Sequence, residues 1–204
     1  MLDQLVFHPV IGERARSIDA EGAQIARQHL HGRDATGLDP LKRAANLGYA
    51  PAQFYLAKLY ETGGAALTKN PVLARQWTER AAMAGDPKAM HNLALYYFEG
   101  TGGSKNVTTA ADWFKKAAEQ CLSDSQYNLA RLYEQGYGVA QNPAEAYKWY
   151  LVASAGGDTE SRSGADRTKK QISAEAQSAA ERTAASIRAQ SCAPGRAGTI
   201  ASAH

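Results

Sequence analysis

The sequence predicts an all-α chain, a right-handed α-α superhelix (solenoid) of three helix hairpins with capping helices at both ends. Two observations carry this expectation. Trp77, Trp113 and Trp149 recur at intervals of 36 residues, as do Ala74, Ala110 and Ala146, Ala81, Ala117 and Ala153, and Asn70, Asn106 and Asn142. A fixed period of this length marks stacked supersecondary units. Each period also carries helical apolar spacing twice. In the third, Leu129, Leu132 and Tyr133 fall at i, i+3, i+4, then Ala146, Trp149, Tyr150 and Ala153 at i, i+3, i+4, i+7.

Before the repeats, Glu13 to His31 is polar and alanine-containing enough for a helix, ended by "HGRDATG", and Pro40 to Leu47 begins another. Residues 1–47 are expected to cap the array, since a bare end repeat would expose its apolar face. The repeats themselves are expected over 48–84, 85–120 and 121–157. Leu56, Leu93 and Leu129 match one another, as do Tyr60, Tyr97 and Tyr133 and then Gly63, Gly100 and Gly136, but here the first interval is 37. One extra residue therefore lies in the first turn, between Gly63 and Asn70, and insertions belong in turns.

The punctuation agrees with two helices per unit. A glycine three residues after each tyrosine suits the left-handed position past a helix end. Asn70-Pro71 and Asn142-Pro143 give a cap followed by proline at the first helical position. Leu56, Tyr60, Trp77, Leu93, Tyr97, Trp113, Leu129, Tyr133 and Trp149 are the expected repeat core. Small residues at Ala52, Ala57, Ala89, Ala94 and Ala130 would let helices approach closely. After the array, Asp158 to Ile172 and Ala174 to Ala189 read as a final helix pair joined near Ser173, so 158–190 is expected as a C-terminal cap. Residues 191–204, "SCAPGRAGTIASAH", are small, contain Gly and Pro, lack a period and are expected to be a disordered tail or linker.

The loop "EGTGGSKN", Glu99 to Asn106, has the composition of a phosphate cradle. A phosphate loop would follow a strand and end G-K-[ST]. This one aligns with "ETGGAALTKN" and "EQGYGVAQN" and is expected to join two helices.

Composition bounds the function. Apolar residues make up 44% of the 204, enough for a core. The 23 basic and 20 acidic residues are scattered and leave a net charge of +3, so no nucleic-acid partner is expected. The start "MLDQLVFHPVIG" lacks the basic beginning, long apolar run and cleavage site of a signal peptide. No run approaches the ~18 apolar residues of a membrane span, so a soluble chain is expected, although a piece cut from a longer protein would lose an anchor without trace. Two cysteines, Cys121 and Cys192, the second in the expected tail, offer no disulfide framework and leave the redox compartment open. His29 and His31 stand two apart, on different faces of a helix, and make no metal pair. H-E-x-x-H, G-x-S-x-G and paired-cysteine motifs are absent, so no catalytic set, metal or cofactor is expected.

The segments "AQFYLAKLYETG", "AMHNLALYYFEG" and "SQYNLARLYEQGYGVAQNPAEAYKWY" resemble the Sel1-like repeat family, relatives of tetratricopeptide repeats, over Gly48 to about Gly157. The resemblance implies a non-catalytic protein-interaction scaffold. By analogy with tetratricopeptide repeats, the positions two before and two after the recurrent leucine face the concave side. They are Phe54, His91 and Tyr127, then Lys58, Leu95 and Arg131, with Glu61 and Glu134 one turn further along. Aromatic and cationic anchors there would suit a protein or extended peptide partner. A narrower likeness to the periplasmic repeat region of a bacterial polar localization factor implies a periplasmic location; without it the expectation is cytoplasmic. Two alternatives remain. One is a cell-wall module in contact with peptidoglycan. The weaker is a β-lactamase-like hydrolase, since such family members carry a cysteine pair in each repeat and this array has one cysteine. That residue, Cys121, stands where Gly48, Gly85 and Gly157 sit in the alignment, and if the position needs positive φ it costs about 1 kcal/mol. A tolerated exception at a repeat junction is expected rather than a reactive thiol.

Overall fold

A computed structural model describes residues 38–64, 67–190 and 192. In chain order these form α1 (Leu38–Asn46), α2 (Ala50–Thr62), α3 (Pro71–Met83), α4 (Pro87–Glu99), α5 (Val107–Glu119), α6 (Ser123–Gln135), α7 (Pro143–Ala153), a 3-10 turn (Ser154–Gly156), α8 (Thr159–Lys169) and α9 (Ala174–Gln190). Among the described residues there is no β-strand, so the class is the all-α helical repeat the sequence predicts. The expected helix over Glu13 to His31, with His29 and His31, lies outside the described residues.

Each helix starts and stops for a local reason. Asn70 Oδ1 accepts from the Leu73 N–H at 3.0 Å, Asn106 Oδ1 from Thr109 at 3.1 Å, and Asn142 Oδ1 from Ala144 and Glu145, both at 3.1 Å. At three helix starts an asparagine side chain thus satisfies one or two of the four orphan N–H donors. The preceding helices end on Gly63, Gly100 and Gly136 at φ of 75°, 85° and 73°. The hairpins close identically: the N–H groups of Asn70, Asn106 and Asn142 donate to the carbonyls of Tyr60, Tyr97 and Tyr133. The inserted residue of the first turn coincides with an isolated bridge between Gly64 and Leu67.

The contacts divide the chain into two compact units, the described residues 38–113 in one and those from 114 onward in the other. In the first, Leu38, Leu41 and Ala45 of α1 pack with Ala52 and Leu56 of α2, and Tyr49, Tyr60 and Trp77 close over them. The loop "EGTGGSKN" serves packing. Arg75 lies 4.0 Å over the Tyr97 ring and donates to the Ser104 carbonyl, and a side chain at Gly102 would meet the Pro71 carbonyl oxygen.

In the second unit α6, α8 and α9 all pack against α7. Tyr150 is fully buried, and Gly164 of α8 lies so close to its ring that an added Cβ would meet it at 2.5 Å. The Tyr147 hydroxyl donates to Glu181 of α9 at 2.8 Å.

The recurrent leucines Leu56, Leu93 and Leu129 are buried, whereas Tyr60, Tyr97, Tyr133, Trp77 and Trp113 are half-buried; Trp149 is buried. The residue after each tryptophan, Thr78, Phe114 and Tyr150, is fully buried. A helix face turned squarely inward carries its largest load one residue past the aromatic that covers its edge.

Two expectations about cysteine are corrected. Cys121 and Cys192 form a disulfide, with Cα atoms 5.3 Å apart and 71 residues of separation, and neither is a free thiol. The end of α9 returns to the α5–α6 junction, which brings Cys192 within bonding distance. Cys192 is the described residue of the expected disordered tail, and it is anchored. The positive φ expected at Cys121 is present, at 67°, beside 92°, 95° and 93° at Gly48, Gly85 and Gly157.

Candidate interaction site

The eight residues expected to face a partner fall five in the first unit and three in the second. In the first, α2 carries Phe54, Lys58 and Glu61, and α4 carries His91 and Leu95. Lys58 Nζ lies 5.9 Å from the Phe54 ring centroid and 2.6 Å from Glu61 Oε2, with both charged side chains partly exposed. Glu61 also faces Tyr96, whose hydroxyl is pushed well above its ordinary pKa by burial and then by the Glu61 charge. His91 is buried, and burial together with the nearby Lys58 charge pushes its pKa down to about 4. It is therefore a neutral imidazole at physiological pH. Leu95 is half-buried.

In the second unit α6 carries Tyr127, Arg131 and Glu134. Arg131 lies 5.8 Å over the Tyr127 ring, and Tyr127 meets Tyr150 edge-on with centroids 5.8 Å apart. Glu134 is held by its own chain. It accepts the Tyr150 hydroxyl at 2.5 Å and two bonds from Arg167 at 3.1 Å each. Burial, then the bond to Glu134, raises the Tyr150 pKa far beyond its usual value. Both glutamates thus serve internal tyrosines, while Phe54 with Lys58 and Tyr127 with Arg131 present an aromatic–cation pair at i, i+4 on the first helix of a hairpin.

Sequence reasoning missed a cavity of about 600 Å³ beside Tyr127. It opens between the first two turns of α6, with Asp124 and Asn128, and the α7–α8 junction, with Gly157, Asp158 and Ser161. Asp124 is held above its ordinary pKa by burial and then by the Asp158 charge. Asp158, which burial would raise, is brought below its ordinary value by bonds from Ser161 and Glu160, including the Ser161 N–H at 2.9 Å. The available signal was the pair of acidic residues at the two junctions, Asp124 three residues past Cys121 and Asp158 one past Gly157. Local spacing could not show that they share a space.

Among the described residues no group of His, Cys, Asp and Glu is arranged to hold a metal, and no helix is long and apolar enough to cross a membrane.

A family model, Sel1 repeat, matches residues 50–86, 87–120 and 123–158. The chain belongs to the Sel1 repeat family. Sel1 repeats are generally protein-interaction modules, and that is the coarse function of this one. A Sel1 repeat protein from Oxalobacter formigenes has a crystal structure similar to this chain, with a TM-score of 0.59 and 35% identity over 64% of this chain and 97% of that one. A protective antigen of uropathogenic Escherichia coli strains displaying an SLR fold aligns at 25% identity and a TM-score of 0.48, over 75% of this chain and 40% of that one. Localization factor PodJL of Caulobacter vibrioides, in two strains, is 55% identical over 46 residues. That match covers 22% of this Sel1-repeat chain and only 5% of PodJL.

Proposed function

We propose that this Sel1-repeat chain is a non-catalytic scaffold, a periplasmic section of a polar localization factor like PodJL, that holds a protein partner on the first helices of its hairpins. The observation that carries this reading is the repeated aromatic–cation pair, Phe54 with Lys58 and Tyr127 with Arg131. Such anchors dominate interface energies. Mounted on packed helices, they bind without ordering a loop, which keeps the entropic cost of association low. Lys58, screened and already paired with Glu61, contributes register more than affinity. The Cys121–Cys192 disulfide supports an oxidising compartment, where such bonds persist.

The test is a crosslinked pull-down from envelope extract. It compares the chain with a Phe54→Ala, Tyr127→Ala, Arg131→Glu variant that remains fully helical by circular dichroism. Loss of a specific protein from the variant is expected. Equal capture by both would take the site off these helices. Retention on purified peptidoglycan with no captured protein would instead make the chain a cell-wall module, and turnover of a β-lactam would make it a hydrolase.

A further inference from the structure

We propose that the Cys121–Cys192 disulfide is a site of thiol–disulfide exchange, a latch that a dithiol reductant opens by attack on Cys121 Sγ to free α9 from the repeats. The bond is within reach of such a reagent. Cys121 and Cys192 are both half-buried, and Glu119, Gln120 and Ser123 around the α5–α6 junction are exposed. Access of this kind decides whether a disulfide exchanges. The two sulfurs are not equivalent. Gln126 Nε2 donates to Cys192 Sγ at 3.7 Å as well as to the Ala118 carbonyl at 3.1 Å. An N–H at that sulfur stabilises the departing thiolate, so cleavage is favoured with Cys192 leaving and Cys121 under attack. One thiolate of the dithiol bonds to Cys121 Sγ as the Cys121–Cys192 bond breaks; the electron pair leaves on Cys192 Sγ, which takes a proton from water. The second thiol, deprotonated, attacks its own partner sulfur in the mixed disulfide and releases Cys121, which is protonated in turn. Two electrons pass to the protein, and the dithiol becomes an intramolecular disulfide.

What the bond holds is α9. Cys192 is tied to the last turn of that helix by its N–H, which donates to the Ile187 carbonyl at 3.3 Å. Of the 17 residues of α9, Ala180 and Ala184 are the buried ones, whereas the shorter α7 buries Tyr147, Trp149, Tyr150 and Val152. Two alanine methyls take little apolar area out of water. The polar ties of α9 to α7 and α8 run through exposed groups: Glu181 accepts from Tyr147 and pairs with Lys169 at 3.6 Å, and Arg188 donates to the Leu151 carbonyl at 3.5 Å. Exposed pairs of this kind add little. The covalent bond is therefore the strongest tie on α9, and without it this helix is the first element to leave. Gln177 Nε2 donates to the Lys169 and Ile172 carbonyls at 3.0 and 3.2 Å, which secures the α8–α9 turn as the hinge. Departure of α9 uncovers Tyr147, which is 3% exposed while the latch is closed, so redox state changes the surface that this interaction module offers. The inference needs no partner on the first helices of the hairpins and stands apart from that reading.

The test uses the oxidised whole chain. Brief exposure to glutathione, alkylation of the freed thiol and peptide mass spectrometry locate the mixed disulfide, which is expected on Cys121. Gln126→Met, checked for folding by circular dichroism, is expected to slow opening by dithiothreitol about fivefold, because the departing thiolate loses its donor. A junction that had merely become looser would open faster. Hydrogen-exchange mass spectrometry of the native chain after reduction with dithiothreitol is expected to show the amides of α9 accelerating at least about tenfold more than those of α6, with protection restored on reoxidation. A mixed disulfide found mainly on Cys192 overturns the proposal, as does a folded Gln126→Met chain that opens as fast as the native one or faster. So do α9 amides that keep their protection after reduction, or that accelerate no more than those of α6. The adduct position and the exchange pattern are read on the unaltered chain and decide the matter even if the variant fails to fold.

Discussion

Cys121 sits at φ 67°, a region its side chain disfavours by about 1 kcal/mol, where the other junctions use glycine. The cross-link to Cys192 outweighs that cost, since a disulfide closing a long loop stabilises by about 2–4 kcal/mol. Cys192→Ser should therefore lower stability by about 2–4 kcal/mol, while Cys121→Gly combined with Cys192→Ser should recover about 1 kcal/mol of the loss. Urea midpoints under non-reducing conditions measure both, and a double variant no more stable than Cys192→Ser would refute the backbone account. His91 gives a second residue-scale expectation. Its pKa is about 4 when folded against 6.5 as its ordinary value, so the unfolded chain binds the extra proton between those pH values. Its contribution is complete above pH 6.5 and is lost as pH falls through 4, by on the order of 3 kcal/mol. Replacing it with Gln should flatten the stability profile across that window in pH-dependent melts. The asparagine caps were legible in the sequence because a cap acts on donors two or three residues away. The cysteine pair was not, because its two halves are related only through the folded path between them.

At the scale of elements, a buried glutamine recurs with a gap. Gln53 Nε2 donates to the Ala45 carbonyl and Gln126 Nε2 to the Ala118 carbonyl, each at 3.1 Å. The carbonyl belongs to the end of the preceding helix, so the amide ties one hairpin to the helix before it. The second repeat has Met90 at the aligned position, buried, with the Ala82 carbonyl in the matching place. Met90→Gln is expected to add the missing bond and raise stability by about 0.5–1 kcal/mol, while Gln126→Met loses about 1 kcal/mol. Thermal melts of the two variants check the pair, and opposite signs are required. The hairpins were legible from period and punctuation. The depth of Thr78, Phe114 and Tyr150 was not, because repeated tryptophans advertise a core that sits one residue further on. The approach of α8 to Tyr150 through Gly164 depends on a helix outside the repeats, which no internal period could reveal.

For the whole molecule, the repeats limit how far a perturbation travels, since each hairpin is stabilised chiefly by its neighbours. Both cysteines lie in the second unit. Reduction should accordingly speed amide exchange mainly across 114–190 and leave 38–64 near its oxidised rate, as hydrogen-exchange mass spectrometry would show. Uniform acceleration would mean a single cooperative block. The helical repeat was readable at this scale; the candidate cavity was not, because it is made where the last repeat meets α8 and its acids are 34 residues apart in sequence, Asp124 to Asp158. The disulfide has a mechanical meaning as well. If the chain is stretched from its two ends, tension reaching Cys121 crosses the sulfur bridge and leaves at Cys192, so the 71-residue stretch spanned by the bridge carries no load. Pulled in optical tweezers, the oxidised chain should release about 240 Å less contour length than the reduced one. The groove beside Tyr127 lies on the shielded side of that bypass, so its walls should keep their arrangement while the rest of the chain is drawn out.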